Sequence, residues 1–296
     1  MKTLKLTTPV AAAPAGFAIE PSDAVLFVGS CFAENMGGRM QRLQFRTLVN
    51  PFGILYNPLS MAEAMRRCLD DEGIGEEVLV CHDGLWHSWL HHGAFSHADK
   101  EATLAACNDA IHEAHAFLQD CSTLVLTFGS AWYYTLADGQ FDGVVANCHK
   151  VSASRFGLHL ATVDEVVAAW RPLLDRLLDS GKRIVLTVSP VRHGAYGAHG
   201  NQLGKAVLLL ALHQLLAEFE AHPKGKLVYF PAYEIVMDEL RDYRFYADDL
   251  MHPSPMAEEI VWQRFAESCM SEETIAHCDR VERQLRQAAH RPLHAD

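Results

Sequence analysis

Three residues of this sequence could carry nucleophilic chemistry if the fold gathers them: Ser30, Asp249 and His252. Ser30 follows Ala24-Val25-Leu26-Phe27-Val28-Gly29, a short apolar run that reads as a buried strand, and precedes a helical stretch from Ala33. A strand-to-helix turn lifts a hydroxyl above the sheet edge. It also sets a helix N-terminus beside any oxyanion that forms there. The same placement makes Ser30 an ordinary helix N-cap, so position alone leaves both roles open. Asp249 stands three residues before His252. At that spacing a carboxylate can bond Nδ1–H and leave Nε2 free to accept a proton. Pro253 keeps His252 out of helical geometry, and Ser254-Pro255 open the next helix as N-cap and first residue. Cys31 is an internal rival, because a thiol at a helix N-terminus can be acidified. Adjacent residues on a tight turn point in different directions, so if Ser30 faces the site, Cys31 packs beneath it.

Other reactive residues are numerous: 17 His and 8 Cys. His82, His87, His91, His92 and His97 crowd one segment, and His87 and His91 have the i, i+4 spacing that holds zinc on a helix. Trp86, Trp89 and Asp83-Gly84 argue instead for a strand hairpin there, with the histidines as rim residues. No metal site and no cofactor are expected. No C-x-x-C pair occurs, and the start of the chain lacks the apolar core of a signal peptide. The cysteines therefore read as reduced core thiols of a cytoplasmic protein. Lys150, Arg155 and Arg192 fall in loops where they could meet an anionic group or simply face solvent. No G-x-G-x-x-G or P-loop pattern follows any strand, which disfavours a mononucleotide binder.

Positioning such residues needs a folded frame, and 296 residues with 49% hydrophobic and 21% charged content supply one. Lys plus Arg number 25 against 37 Asp plus Glu, a net charge of −12, which argues against nucleic-acid or anionic-membrane binding. No apolar run is long enough to span a membrane.

Short apolar strands near residues 24–28, 45–49, 124–128, 183–188 and 227–230 alternate with helices near 33–43, 59–69, 99–118, 163–178, 201–220, 256–269 and 272–289. That alternation predicts an α/β sandwich with a parallel sheet covered by helices. Asp83-Gly84 and Asp138-Gly139 mark two inserted β-hairpins. The expected organisation is an extended lead-in over 1–22, an α/β domain over 23–270, and a C-terminal helix and tail over 271–296. Ligands of such sheets bind beyond the carboxyl ends of the strands, where Ser30, Asn50 to Asn57, Ser130 and Ser189 to His193 lie.

Gly29-Ser30-Cys31-Phe32-Ala33 resembles the signature of the bacterial GSCFA family. Asn50-Pro51-Phe52-Gly53, Tyr56-Asn57-Pro58, Ala146-Asn147-Cys148-His149-Lys150, Ser189-Pro190-Val191-Arg192-His193 and Asp248-Asp249-Leu250-Met251-His252-Pro253 resemble its later blocks. That family is similar to SGNH hydrolases, GDSL-like esterases and acylhydrolases with a flavodoxin-like three-layer α/β/α sandwich. The resemblance implies a serine hydrolase that cleaves or transfers an acyl ester, on a small molecule or a carbohydrate, through an acyl-serine intermediate. Ser30 then matches the nucleophile, and Asp249 and His252 the acid and base. Gly53 matches the glycine whose N–H lines the oxyanion pocket. SGNH enzymes carry a G-x-N-D block after the central strand. This chain has Gly129-Ser130-Ala131-Trp132 there, which leaves the third donor to Asn147 or Ser130. His193 is expected to line the pocket. The alternative is a non-catalytic ligand-binding protein on the same fold. The oligomeric state is not readable from the sequence.

Overall fold

Five of the apolar runs pair as one parallel sheet in the computed structural model, which describes residues 7–289. The strands of the chain are β1 (Ala24–Gly29), β2 (Arg46–Val49), β3 (Leu79–His82), β4 (Leu85–Ser88), β5 (Thr123–Phe128), β6 (Trp132–Leu136), β7 (Val144–Val145), β8 (Phe156–Leu160), β9 (Arg183–Val188) and β10 (Lys226–Tyr229). The main sheet runs β10-β9-β5-β1-β2. Counting its own strands along the chain, this is the flavodoxin-like order 2-1-3-4-5. The direction of winding changes between β1 and β5, so the crevice beyond their carboxyl ends is the expected ligand position.

Side chains alternate across this sheet and separate two cores. Leu26, Val28, Leu124, Leu126, Ile184 and Leu186 face one layer of helices. That layer comprises α2 (Pro58–Asp70), α3 (Lys100–Asp120), α4 (Val163–Asp179) and α5 (Gly197–Phe219), with α1 (Cys31–Arg42) on the other side. Val25, Phe27, Val125 and Val185 face α1, a short helix α6 (Ala232–Glu234), α7 (Pro255–Cys269) and α8 (Glu272–Ala289). The result is the three-layer α/β/α sandwich expected from the alternating pattern.

Local chemistry fixes the helix starts. Thr162 and Glu165 form a reciprocal capping box at α4, with Thr162 Oγ1 accepting from Glu165 N–H and the Glu165 carboxylate accepting from Thr162 N–H. Thr162→Ala should lower stability by about 1 kcal/mol, the usual effect of losing such a cap, as read from a denaturant titration. Ser254 caps α7 and Pro255 is its first residue, as the sequence predicts.

The hairpin at Asp83-Gly84 forms as β3 and β4, and the one at Asp138-Gly139 as β6 and β7. The second is larger than expected: β8 pairs antiparallel with β6 from Trp132↔Leu160 to Leu136↔Phe156, making a three-stranded sheet. α5 also starts four residues before the predicted Asn201. The lead-in packs on the far end of the chain, with Ala15 N–H donating to Ser268 O and Ile19 N–H to Cys269 O. Its residues 1–6, and residues 290–296 of the C-terminal tail, lie outside the described residues. Among the described residues no helix is long and apolar enough to cross a membrane.

Candidate active site

Ser30 caps α1 at the carboxyl end of β1, with its Oγ accepting from Phe32 N–H at 3.3 Å. The glycine before it makes that turn possible. Gly29 has φ +143°, and a Cβ there would sit 2.1 Å from Thr127 O of the neighbouring β5. Only a residue without a side chain lets β1 approach β5 so closely just below Ser30. Ser30 itself is buried, 1% exposed.

Asp249 and His252 form a tight pair. Asp249 Oδ2 lies 2.6 Å from His252 Nδ1, while Oδ1 accepts from the N–H groups of Met251 and His252 at 2.9 and 3.0 Å. Leu250, at φ +59°, lets the loop close back on the carboxylate. The His252 N–H, the Met251 N–H and then the imidazole hold the Asp249 carboxyl at about 2, well below the ordinary range. With Nδ1 turned to the carboxylate, Nε2 is left without a hydrogen-bond partner among the described residues. Ser30 Oγ and His252 Nε2 are not bonded to each other here, and both side chains keep their partners within their own turns. The two turns are nevertheless neighbours. Ser30 precedes α1 and His252 precedes α7, and Asn35 in the early part of α1 donates to the Glu258 carboxylate in the first turn of α7. Arg39 on α1 also binds Glu259 on α7 at 2.6 Å.

The other expected residues divide into those that join this region and those that do not. His193 joins it: its ring packs edge-on to Tyr56 at 5.4 Å, and burial, then the nearby charges of Lys205 and His252, push its imidazole down to about 4. Ser130 is buried, but its Oγ accepts from Trp132 N–H at 3.2 Å and its own N–H goes to Tyr56 O. The Gly53 N–H, expected in an oxyanion pocket, instead donates to Asn50 O at 2.7 Å and closes a turn in which Gly53 has φ +75°. Asn147 sits elsewhere. Its Oδ1 accepts from His149 N–H, and it lines an open cavity with His82, His87, His92 and His149 that none of Ser30, His193 and His252 lines. The reason is the β6–β7–β8 sheet, which carries the Asn147 segment toward the β3–β4 hairpin: Ala146 N–H donates to Trp89 O.

Cys31, the rival to Ser30, is half-buried at the first position of α1. Burial pushes its thiol above the ordinary value, against the weaker lowering by backbone N–H groups. The histidine-rich segment forms the predicted hairpin, not a helix, and His87 stacks on His149 at 4.5 Å. Among the described residues no three His, Cys, Asp or Glu side chains converge to hold a metal. All eight cysteines are unpaired, and Cys68, Cys107, Cys121, Cys269 and Cys278 are buried.

Sequence reasoning passed over Lys205. This α5 residue is 1% exposed, and its Nζ donates to Gly129 O and Ser189 O, both at 2.6 Å. Those carbonyls follow β5 and β9, so one amine ties together two strand ends beneath the crevice. Its charge also lies close to Cys31 and over the Tyr233 ring. Burial pushes it down to about 7, with Cys31 opposing. The sequence does carry a signal for it: Lys205 shares a helix face with the buried Leu208 and Leu212 at i+3 and i+7.

The GSCFA family model matches residues 24–265, from β1 into α7. The chain belongs to the GSCFA family. No curated protein matches the sequence. Among solved structures this GSCFA chain is similar to a carbohydrate esterase family 3 protein from Talaromyces cellulolyticus, at 7% identity and a TM-score of 0.30, over 56% of this chain and 63% of that one. It is also similar to a mutant acetyl esterase with acetate ion, at 7% identity and a TM-score of 0.29, over 54% of this chain and 60% of that one. The GSCFA chain thus spans less than two thirds of either structure.

Proposed function

We propose that this GSCFA-family chain is a serine hydrolase that cleaves or transfers an acyl ester of a carbohydrate or another small molecule. The observation that carries the reading is the Asp249–His252 pair, 2.6 Å apart, on the loop that enters α7 beside the Ser30 turn. Ser30 Oγ attacks the ester carbonyl carbon, and His252 Nε2 takes the hydroxyl proton. Asp249 keeps Nδ1 protonated and stabilises the imidazolium that forms. The ester C–O bond then breaks, and the alcohol leaves with the proton from His252. Water, deprotonated by the same Nε2, releases the acid from Ser30; an alcohol acceptor in place of water gives acyl transfer. Such general-base help is worth typically about 10²–10⁴-fold. On this reading His193, Ser130 and Tyr56, which pack together, are the residues nearest the approach, and no step needs a cofactor. Eight unpaired cysteines suit a reducing compartment such as the cytoplasm.

One observation favours a second reading, a non-catalytic binding protein on this fold. Ser30 is buried and its Oγ is turned to the backbone of its own helix. Treatment with a serine-reactive fluorophosphonate separates the two. The hydrolase forms a Ser30 Oγ–P bond with loss of fluoride, located by peptide mass spectrometry, and His252→Ala abolishes it. Absence of labelling together with no turnover of short-chain aryl esters sinks the hydrolase and leaves the binding protein.

A further inference from the structure

The backbone donors expected to face an oxyanion are occupied. The Ser30 N–H donates to Thr127 O at 3.2 Å and the Gly53 N–H to Asn50 O. Ser130 Oγ accepts from Trp132 N–H, which leaves its O–H free to donate, and Asn147 lines a different cavity. Beyond that hydroxyl, two N–H donors near Ser30 donate to no other described residue. The first is Asn50 Nδ2, a buried side-chain nitrogen with no hydrogen-bond partner on a residue 9% exposed. Every other polar function of Asn50 is engaged. Its N–H donates to Phe27 O at 2.8 Å, its carbonyl accepts from Gly53, and its Oδ1 accepts from Gly29 N–H at 2.9 Å. The last bond fixes the planar amide against Gly29, the residue just before Ser30. The second donor is the N–H of Cys31, the first residue of α1, which has no carbonyl partner within the helix and meets only its own thiol.

Buried polar groups are nearly always paired, and an exception in a folded protein calls for a reason. We propose that Asn50 Nδ2 and the Cys31 N–H form the oxyanion pocket of the Ser30 site. The proposal rests on the acyl-serine reading. Attack by Ser30 turns the ester carbonyl oxygen into an alkoxide, and these N–H groups donate to it from either side of the nucleophile. Asn50 thus supplies from the end of β2 the amide that a G-x-N-D block would have supplied from the end of β5. Its left-handed backbone, φ +45°, is one that Asn and Asp tolerate and most residues do not.

Asn50→Asp is the variant that tests it. Aspartate keeps an oxygen for Gly29 N–H and suits the backbone, but removes the donor. Expected is a fall in kcat for an aryl ester of about 10²–10³-fold with KM little changed, as for loss of one oxyanion donor, and an unchanged circular dichroism spectrum. A kcat within about threefold of wild type, far short of the loss of one such donor, overturns the proposal. Aspartate also adds charge or can perturb folding, so a second measurement uses the unaltered protein. The Asn50 side-chain amide resonances should move downfield when the fluorophosphonate adduct forms on Ser30, and unmoved resonances overturn the proposal. If the wild-type chain forms no Ser30 adduct, the acyl-serine reading has failed and the pocket falls with it. A labelled Ser30 with a fully active Asn50→Asp variant removes the pocket alone.

Discussion

Ser30→Ala should reduce kcat for a short-chain aryl ester by about 10⁴–10⁶-fold, because on the proposed mechanism it removes the atom that forms the acyl bond. His252→Ala should reduce it almost as far, and the double variant should be no worse than Ser30→Ala alone. Groups that act as one unit are strongly non-additive: without the nucleophile, the base has no proton to accept. Asp249→Asn tests the third member differently. Its oxygen can still accept from the Met251 and His252 N–H groups, which are the first causes of the lowered Asp249 carboxyl. The new NH₂ group faces Nδ1 and favours the wrong imidazole tautomer, so a loss of roughly 10⁴-fold is expected with the loop intact. The rate constants of the three single variants, with denaturation midpoints as controls, decide the matter. Turnover by purified Ser30→Ala equal to that of wild type would remove Ser30 from the chemistry, whatever the other two variants did.

The residues that make this prediction possible were legible because their geometry is local. A strand of five buried residues closed by a glycine, then a serine and a helix, require only neighbouring sequence, and so does a carboxylate three residues before a histidine. Strand alternation did the same for the sheet, since Val25 and Phe27 go to one core and Leu26 and Val28 to the other. What sequence reasoning lost was set by distant partners. Asn50 reads as a strand stop, and its amide gains meaning only because β2 lies beside β1 and presents it to Gly29. Gly53 reads as a free donor until the turn back to Asn50 takes its N–H. β8 had the apolar alternation of a strand at Phe156, Leu158 and Leu160, but Leu158 is 44% exposed. It belongs to a small solvent-facing sheet, where hydrophobic patterning constrains little.

The second large effect is on stability and comes from histidines that the chemistry does not use. Stability should fall steeply as pH drops from about 6.5 to 4. His91, His149 and His193 are each held neutral at about 4, in every case chiefly by burial. His91 has no hydrogen-bond partner on Nε2, so a proton there would be buried and unpaired. His149 places Nε2 2.7 Å from Ser88 O, which opposes the shift, while His87, His92 and His82 add to it. All three ionise near about 6.5 once unfolded. Below that value the unfolded chain binds protons that the folded chain refuses, so the folded state loses stability until the pH has passed through about 4. One unit of separation corresponds to about 1.36 kcal/mol, so each histidine could contribute up to ~3 kcal/mol. Against a typical total of about 5–15 kcal/mol, three such groups bring the protein close to acid unfolding above about pH 4. Lys205 acts at the other end: held at about 7 and free to rise to about 10.4 when unfolded, it makes stability increase with pH between those values. Urea midpoints at half-unit steps from about pH 4 to 9 measure both slopes. His91→Leu and His149→Gln should each flatten the acid limb, and Lys205→Met the alkaline one. A wild-type midpoint constant between about pH 6.5 and 4.5 would mean that these imidazoles are not held neutral by the fold, and the burial argument for His193 in the candidate site would fall with the other two.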